Sequence, residues 1–109
     1  MILSQDGFDI YYLGTTTDEY SGGQFVFFVT NNTDKYVHVS TDDLAVDGFM
    51  QEYGYSYSCI DSYDGAILFL DCDDDVDINS VSQACVSFEA YDAATYDDLL
   101  ETGSINFIQ

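Results

Sequence analysis

Short runs of apolar and polar residues, separated by Gly, Asn, Asp and Ser, make up most of this chain. Apolar residues at every second position are typical of strands that cover a core with one face. The segments Phe8–Tyr12, Tyr36–Ser40 and Ala84–Tyr91 follow this pattern. In contrast, Phe25–Val29 and Ala66–Leu70 are apolar at every position. These two segments are predicted to be central strands, covered by other parts of the protein on both faces.

Residues that tolerate a left-handed backbone separate the predicted strands. Asn31–Asp34 is expected to turn the chain, and Asp47-Gly48 is a tight-turn pair. The polar segment Gly14–Gly23 is interpreted as a connection. Further strands are expected at Tyr53–Tyr57, where alternate tyrosines share one face, and at Ser104–Ile108, which closes the chain.

Two short helical turns are predicted among the strands. One lies at Ile78–Gln83, capped by Asp77 or Asn79, and the other at Tyr96–Glu101, capped by Thr95 and stopped by Gly103. Seven or eight short strands at regular spacing indicate an all-β protein, an antiparallel β-sandwich with an immunoglobulin-like layout. A length of 109 residues predicts a single domain spanning residues 1–109.

Two stretches carry a resemblance to a known group of domains. FVTNNTDKYVHVSTDDLAVDGFM resembles a strand–turn–strand segment of small immunoglobulin-like domains in surface proteins and lipoproteins of Firmicutes, and VSFEAYDAATYDDLLETGSINF resembles their closing strands. The resemblance implies the fold and a bacterial or phage source, but it brings no defined activity. This chain differs from those domains because it has almost no lysine, and neither a signal peptide nor an anchor is expected from its sequence.

Charge narrows the set of partners. The chain has 21 acidic residues against one basic residue, Lys35, and a net charge of −20. It is therefore not expected to bind nucleic acid or anionic membranes, because phosphate contacts need Lys or Arg. Basic protein surfaces, above all those that hold nucleic acid, are the expected partners. At 47% hydrophobic and 17% aromatic, the chain is too apolar for a disordered acidic tail. Adaptation to a salt-rich host is the alternative explanation of its acidity.

The densest acidic segment is Asp71–Asp77, which contains Asp71, Asp73, Asp74, Asp75 and Asp77. If the segment is extended, alternate aspartates project from one face about 6.6 Å apart, a spacing of the order of that between nucleic-acid phosphates. Three interpretations stay open: a phosphate mimic, a solvated loop without a role, and a calcium site. The calcium site would use Asp71, Asp73, Asp75 and Asp77 in a D-x-D-x-D-x-D pattern like the start of an EF-hand loop. Val76 replaces the glycine of that loop, and Ser82 stands where the bidentate glutamate belongs.

Other acidic residues and the tyrosines extend the candidate surface. The additional partner-binding candidates are Asp42, Asp43, Asp47, Asp97 and Asp98. Tyrosines near the acidic residues would stack on arginine side chains of a partner, or else simply cover the core. The sequence alone does not establish that these groups share one face.

Catalytic chemistry is not expected. His38 is the only histidine, and no Ser–His–Asp or Cys–His arrangement is evident. The alternation of His38 with two valines predicts that its side chain faces solvent. Three cysteines without a CxxC motif argue against zinc. Reduced thiols are expected, and a Cys72–Cys85 bridge is the alternative for a secreted protein.

These observations favour a non-catalytic acidic binding protein that imitates nucleic acid and inhibits a nucleic-acid-binding protein of the host cytoplasm, as anti-CRISPR or anti-restriction proteins of phages do. No cofactor is expected, apart from the calcium alternative. The competing hypothesis is an immunoglobulin-like interaction or spacer module of a bacterial surface protein, extracellular and stabilised by calcium. Met1 fits a complete small protein or an excised domain with an added initiating Met.

Overall fold

The computed structural model describes residues 1–18, 22–52, 54–73 and 76–108. It is an all-β structure of two antiparallel sheets. The strands among the described residues are β1 (Leu3–Gln5), β2 (Phe8–Asp18), β3 (Gly22–Asn31), β4 (Val37–Val46), β5 (Phe49–Met50), β6 (Tyr57–Ile60), β7 (Asp64–Asp71), β8 (Ala84–Asp92) and β9 (Asp98–Ile108). A 3₁₀ turn, Ile78–Ser80, lies between β7 and β8.

The four-stranded sheet has the strand order β1-β2-β3-β7. β3 lies inside it because both of its edges are paired, with Phe27 opposite Tyr12 on β2 and Leu68 on β7. A β-bulge at Leu13 interrupts the pairing of β2 with β3, since Tyr12 and Gly14 oppose consecutive residues of β3. Along β3, every second residue is buried in the core.

The five-stranded sheet has the order β5-β4-β8-β9, and β6 pairs with β4 beside β5. β4 is paired on both edges: β8 lies along one edge, and β6 and β5 pair with different parts of the other. β9 is an edge strand that pairs with β8 over its whole length.

The core lies between the sheets and is rich in aromatic rings. Phe27 is fully buried, and its ring centroid lies 5.4 Å from that of Phe88, 4.9 Å from that of Phe107 and 5.3 Å from that of Tyr12. These edge-on and tilted contacts join β2 and β3 of one sheet to β8 and β9 of the other, so burial of the rings holds the sheets together.

Both predicted turns are confirmed. Asp47 and Gly48 have φ values of 50° and 87°, as the hairpin between β4 and β5 requires. The turn after β3 is organised by Asn31, which is fully buried. Its side-chain amide donates to the carbonyl oxygens of Lys35 at 2.7 Å and Asp61 at 3.1 Å. Its own oxygen accepts from the hydroxyl of Thr33 at 2.6 Å.

The prediction of strands covered on both faces is wrong. Leu68 and Leu70 are buried, but their neighbours Ile67 and Phe69 are about half exposed. The reason is that the inner face of the four-stranded sheet packs on the other sheet, whereas no element of the described chain lies on its outer face.

The predicted connection at Gly14–Gly23 is also wrong in most of its length. β2 continues to Asp18 and β3 begins at Gly22, because Thr15 and Thr16 pair with Phe25 and Gln24. Threonine suits such a strand, although the segment is polar.

Of the two predicted helical turns, the one at Ile78–Gln83 is confirmed over its first three residues. Ile78–Ser80 is a 3₁₀ turn, and the side chain of its N-cap residue, Asp77, accepts from the backbone N–H of Asn79. The helix predicted at Tyr96–Glu101 is wrong, since β9 begins at Asp98 and buries Leu100 opposite Ala90. Pairing with β8 overrides the local preference for a turn of helix.

Within the described part of the chain, no helix is long and apolar enough to cross a membrane.

Candidate functional site

The outer face of the five-stranded sheet gathers carboxylates from three strands. Alternation along β8 buries Phe88 and Ala90 and turns Glu89 and Tyr91 outward. In the register of β8 with β9, Glu89 lies directly opposite Glu101, and Tyr91 lies opposite Asp98. We call this surface the acidic face; its residues are Asp42, Asp43, Glu89, Asp98 and Glu101, all exposed.

A break in the strand register brings two further carboxylates to this face. The pairing of β4 with β8 shifts between Asp42 and Ala45, and Asp43 takes up a left-handed backbone with φ 52°. The carboxylate of Asp42 accepts from the N–H of Asp43 at 2.9 Å, and its carbonyl accepts from the hydroxyl of Ser87 at 3.0 Å. These two hydrogen bonds hold the bulge in place, and the side chains of Asp42 and Asp43 are both exposed.

Two depressions flank the pair formed by Glu89 and Glu101. One has a volume of about 180 Å³ and includes Asp43, Ser87 and Ser104 in its lining. The other has a volume of about 150 Å³ and includes Tyr91 and Asp98. Glu89 and Glu101 line both of them. Each depression is thus a small concave space bounded by carboxylates on more than one strand.

A stack of aromatic rings crosses the same sheet face. The ring of His38 lies between those of Tyr57 and Tyr91, with centroid distances of 5.3 and 4.7 Å and interplanar angles of 15° and 16°. Tyr55 and Tyr96 extend the row at its two ends, at 6.0 and 5.8 Å. We call these five residues the ring stack. His38 does lie on the outer face, as predicted, but it is half-buried between tyrosines, and its Nδ1 is buried without a hydrogen-bond partner in the described chain.

Cations are scarce in the described chain. The one ion pair found there joins Lys35 Nζ to the carboxylate of Asp34 at 3.9 Å, in the turn before β4. The opposed carboxylates of Glu89 and Glu101 therefore repel one another without neutralisation, which is unfavourable for directly facing residues of a sheet. A cation brought by a partner would relieve this repulsion.

The acidic segment Asp71–Asp77 has a different arrangement from the one predicted. β7 ends at Asp71, and the N–H of Val76 donates to the carbonyl of Asp73 at 3.0 Å. Asp71 lies at the end of β7 and accepts from the amide of Gln24 at 2.7 Å. Asp73 accepts from the N–H of Glu52 at 2.9 Å, and Asp77 caps the 3₁₀ turn. Asp74 and Asp75 lie outside the described residues.

The carboxylates of the acidic segment and of the acidic face differ in their hydrogen bonding. Those of Asp71, Asp73 and Asp77 accept hydrogen bonds that hold the fold together. Those of Glu89, Asp98 and Glu101 accept none from the described residues and remain available. Among those residues, no group of three acidic, histidine or cysteine side chains is arranged to hold a metal ion, and the calcium candidate includes Asp75, which is not described.

Asp47 lies beside the acidic segment Asp71–Asp77. Its carboxylate accepts from the N–H groups of Ser82 and Gln83, both at 2.9 Å. Together with Asp73 and Asp77 it lines a groove of about 470 Å³ whose apolar side is formed by Phe49, Met50 and Val76. The structure thus brings Asp47 to the acidic segment, whereas it places Asp42, Asp43 and Asp98 on the acidic face. Asp97 is exposed in the turn before β9.

The cysteines are free thiols. A Cys72–Cys85 bridge is not formed, because Cys72 follows β7 on the inner side of one sheet and Cys85 points outward from β8 in the other. Burial, with the charges of Asp73 and Asp71 adding to it, raises the pKa of Cys72 to about 11. Its thiol is therefore neutral and inert at neutral pH.

Sequence reasoning missed the central pair of the acidic face. Alternation in Ala84–Tyr91 was a usable signal that Glu89 points away from the core. It did not reveal the partner strand, because the expected helical turn at Tyr96–Glu101 removed Glu101 from the sheet.

Comparisons with known proteins add little. No family model matches the chain, and no curated protein matches it. The comparison with solved structures found a FixG-related protein from Vibrio parahaemolyticus, at 14% sequence identity and a TM-score of 0.45, covering 94% of this chain and 96% of that one. A likeness this distant bears on neither family nor function.

Proposed function

We propose that this protein is a non-catalytic binding protein whose acidic face occupies the nucleic-acid groove of another protein. The observation that carries the proposal is the pair of carboxylate-lined depressions on either side of Glu89 and Glu101, directly beside the ring stack. A nucleic-acid-binding surface contacts phosphates and bases. Free carboxylates and planar rings, side by side on one sheet, present a negative charge in place of a phosphate and a flat ring in place of a base.

The chemistry of the depressions suits arginine and lysine. A guanidinium or ammonium group that enters either depression meets the carboxylates of Glu89 and Glu101 at once, and charge-assisted hydrogen bonds of this kind are among the strongest in proteins. Arginine also stacks its planar group on aromatic rings, and Tyr55 and Tyr96 at the ends of the ring stack are exposed. A groove that normally grips phosphates with several Arg and Lys side chains presents these groups in number.

The net charge of −20 contributes at longer range. It attracts a basic partner and speeds the encounter, and this contribution falls as salt screens it, with a Debye length of about 8 Å at physiological ionic strength. The contacts in the depressions are shorter in range, so they are expected to persist when salt has removed the general attraction. The two contributions can therefore be separated by experiment.

A pull-down with matched variants tests the proposal. Wild-type protein is immobilised beside a face variant, E89Q/D98N/E101Q, and a control variant of equal charge, D6N/D34N/E52Q, whose changes lie away from the acidic face. Host lysate is passed over all three and over polyglutamate at about 0.15 M salt, followed by elution in salt steps. We expect wild type and control to retain the same nucleic-acid-binding protein, and the face variant and polyglutamate to release it early.

Identical elution from all four surfaces would contradict the proposal, because retention would then depend on general acidity alone. Retention by the face variant, with loss when Asp73 and Asp77 are changed to Asn, would transfer the binding site to the acidic segment.

For the type of sandwich we propose an immunoglobulin-like layout. It is supported by the strand orders β2-β3-β7 and β4-β8-β9, which correspond to strands A-B-E and C-F-G of that fold. The chain passes between the sheets after β3, after β6 and after β7. This layout also suits the second candidate, an interaction or spacer module of a bacterial surface protein. A melting temperature that rises sharply with calcium but hardly with matched magnesium would favour the module.

A further inference from the structure

The outer face of the four-stranded sheet is apolar, unlike the rest of this acidic chain. The central outward-pointing residues of β2, β3 and β7 form a continuous surface, which we call the apolar face; they are Tyr11, Leu13, Val26, Phe28, Ile67 and Phe69. Leu13 is 57% exposed, Ile67 51% and Phe69 49%. Scattered exposed apolar residues are ordinary, but a contiguous apolar patch on a sheet marks an interaction surface.

The strand register makes this surface continuous. Tyr11, Phe28 and Ile67 lie side by side across the three strands, as do Val26 and Phe69. The bulge in β2 leaves Leu13 exposed beside Val26. Phe28 lies against Gly65 so closely that a Cβ on Gly65 would come within 2.6 Å of the ring. The ring therefore fills the gap over this glycine and joins β3 to β7.

Carboxylates bound the apolar face at its two ends. Asp9 lies at one end, held by the hydroxyl of Ser4 at 2.6 Å and the amide of Asn32 at 3.1 Å. Asp71 lies at the other, held by Gln24 at 2.7 Å. Between them, the outward positions of β3 and β7 carry no acidic or basic residue. The apolar centre and the acidic ends match the usual anatomy of a protein interface, an apolar core with a polar rim.

Charge complementarity selects the occupant. A second copy of this chain would bring a further net charge of −20 and would set its own acidic ends against Asp9 and Asp71. An anionic membrane is repelled in the same way. We infer that the apolar face is a second docking surface, for a protein partner with an aliphatic or aromatic patch bordered by Lys or Arg.

This surface lies on the opposite side of the sandwich from the acidic face, since each is the outer face of a different sheet. One molecule can therefore hold two partners, or two separate parts of one partner. This inference does not depend on the identity of the protein that binds the acidic face.

The test uses short peptides of alternating sequence as probes. Acetyl-(Leu-Lys)₄-amide presents leucines on one side and lysines on the other when extended, while acetyl-(Ser-Lys)₄-amide has the same charge without the apolar side. Each is titrated into ¹⁵N-labelled protein, and backbone amide shifts are followed by NMR. We expect the leucine peptide to bind about tenfold more tightly and to shift the amides of Val26, Phe28 and Ile67.

Variants locate the binding. Phe69→Thr, a substitution on the surface of an edge strand, is expected to weaken the binding of the leucine peptide by about fivefold to tenfold. Ile67→Thr serves as a second variant if the NMR spectrum shows that Phe69→Thr disturbs the fold. Phe49→Thr removes a ring that is even more exposed than that of Phe69 and lies away from the apolar face, and it is expected to leave the affinity unchanged.

Three results would overturn the inference. Equal binding of the serine and leucine peptides would mean that charge alone is recognised. Shifts confined to the acidic face would place the peptide elsewhere. A dimer of the free wild-type protein that Phe69→Thr, but not Phe49→Thr, converts to a monomer in sedimentation experiments would make a second copy the occupant.

Discussion

Neutralising one carboxylate of the facing pair should stabilise the fold while it weakens binding. Directly opposed residues of an antiparallel pair have Cβ atoms about 5 Å apart, and Glu89 and Glu101 occupy such positions. Two charges about 5.5 Å apart repel by about 0.8 kcal/mol in water and by about 3 kcal/mol at an effective dielectric constant of 20. Because both residues are exposed, the lower value applies. We expect Glu89→Gln or Glu101→Gln to raise the free energy of unfolding by about 0.5–1 kcal/mol at low salt.

Urea unfolding followed by tyrosine fluorescence measures this effect, since urea leaves the ionic strength unchanged. The two single variants and the double variant form a cycle that isolates the interaction of the pair. Measurements are made at about 0.02 M and about 1 M salt, where the Debye length has fallen to about 3 Å and the gain should vanish. Glu52→Gln is the matched control, because only the backbone N–H of Glu52 takes part in the contact with Asp73.

A destabilised single variant, or a gain that is the same at both salt concentrations, would refute the reasoning. It would mean that the two carboxylates are not held against each other, and the binding site would lose the unneutralised pair on which it rests.

The remaining predictions concern the core, the β3–β4 turn and a buried thiol. Phe27→Ala should lower the free energy of unfolding by about 3–5 kcal/mol in urea experiments, and a loss below about 1 kcal/mol would contradict the central position of this ring. Asn31→Ala should cost about 2–3 kcal/mol, because it removes the donor to carbonyl groups that are buried or partly buried; a variant as stable as wild type would show that water replaces the amide. Burial raises the pKa of Cys72 from 9.0 to about 11, so its neutral thiol contributes stability that is complete below about pH 9 and is lost as the pH rises through about 11. Wild type should therefore lose more stability than Cys72→Ala between pH 8 and 11, and parallel curves would contradict the assignment.

Much of the fold could be predicted because its signals are local. Alternation in Ala84–Tyr91 and the Asp47-Gly48 pair each describe an element within a few residues of chain, and the structure contains both. The Asp6-Gly7 pair carries the same hairpin signal, with φ values of 53° and 88°, and could have predicted the turn between β1 and β2.

The errors arose where a distant strand decides the outcome. β2 extends through its threonines, and β9 replaces a predicted helical turn, because neighbouring strands supply hydrogen-bond partners that the local sequence does not reveal. Apolarity on both faces of β3 and β7 predicted a covering layer. Within the described chain, the other sheet covers only the inner side of β3 and β7, and their uncovered outer side forms the apolar face.

The candidate site was predictable in its chemistry but not in its location. Composition alone predicts a basic partner, and this stays a prediction, whereas the structure does place Asp42, Asp43 and Asp98 on one sheet face. The segment with the densest acidic charge is the strongest candidate in the sequence, yet Asp71, Asp73 and Asp77 accept hydrogen bonds from their own chain. Register, which local patterns do not specify, was needed to set Glu89 against Glu101 and His38 between two tyrosines.

The most direct test of the central claim is a competition between this protein and nucleic acid for the partner recovered in the pull-down. A fluorescently labelled oligonucleotide is bound to that partner, the protein is added, and the anisotropy of the label is followed. The account predicts full displacement of the oligonucleotide by wild type and by the D6N/D34N/E52Q control, and at least about tenfold weaker displacement by E89Q/D98N/E101Q. A ternary complex in which the oligonucleotide stays bound, or equal displacement by all three proteins, would contradict it.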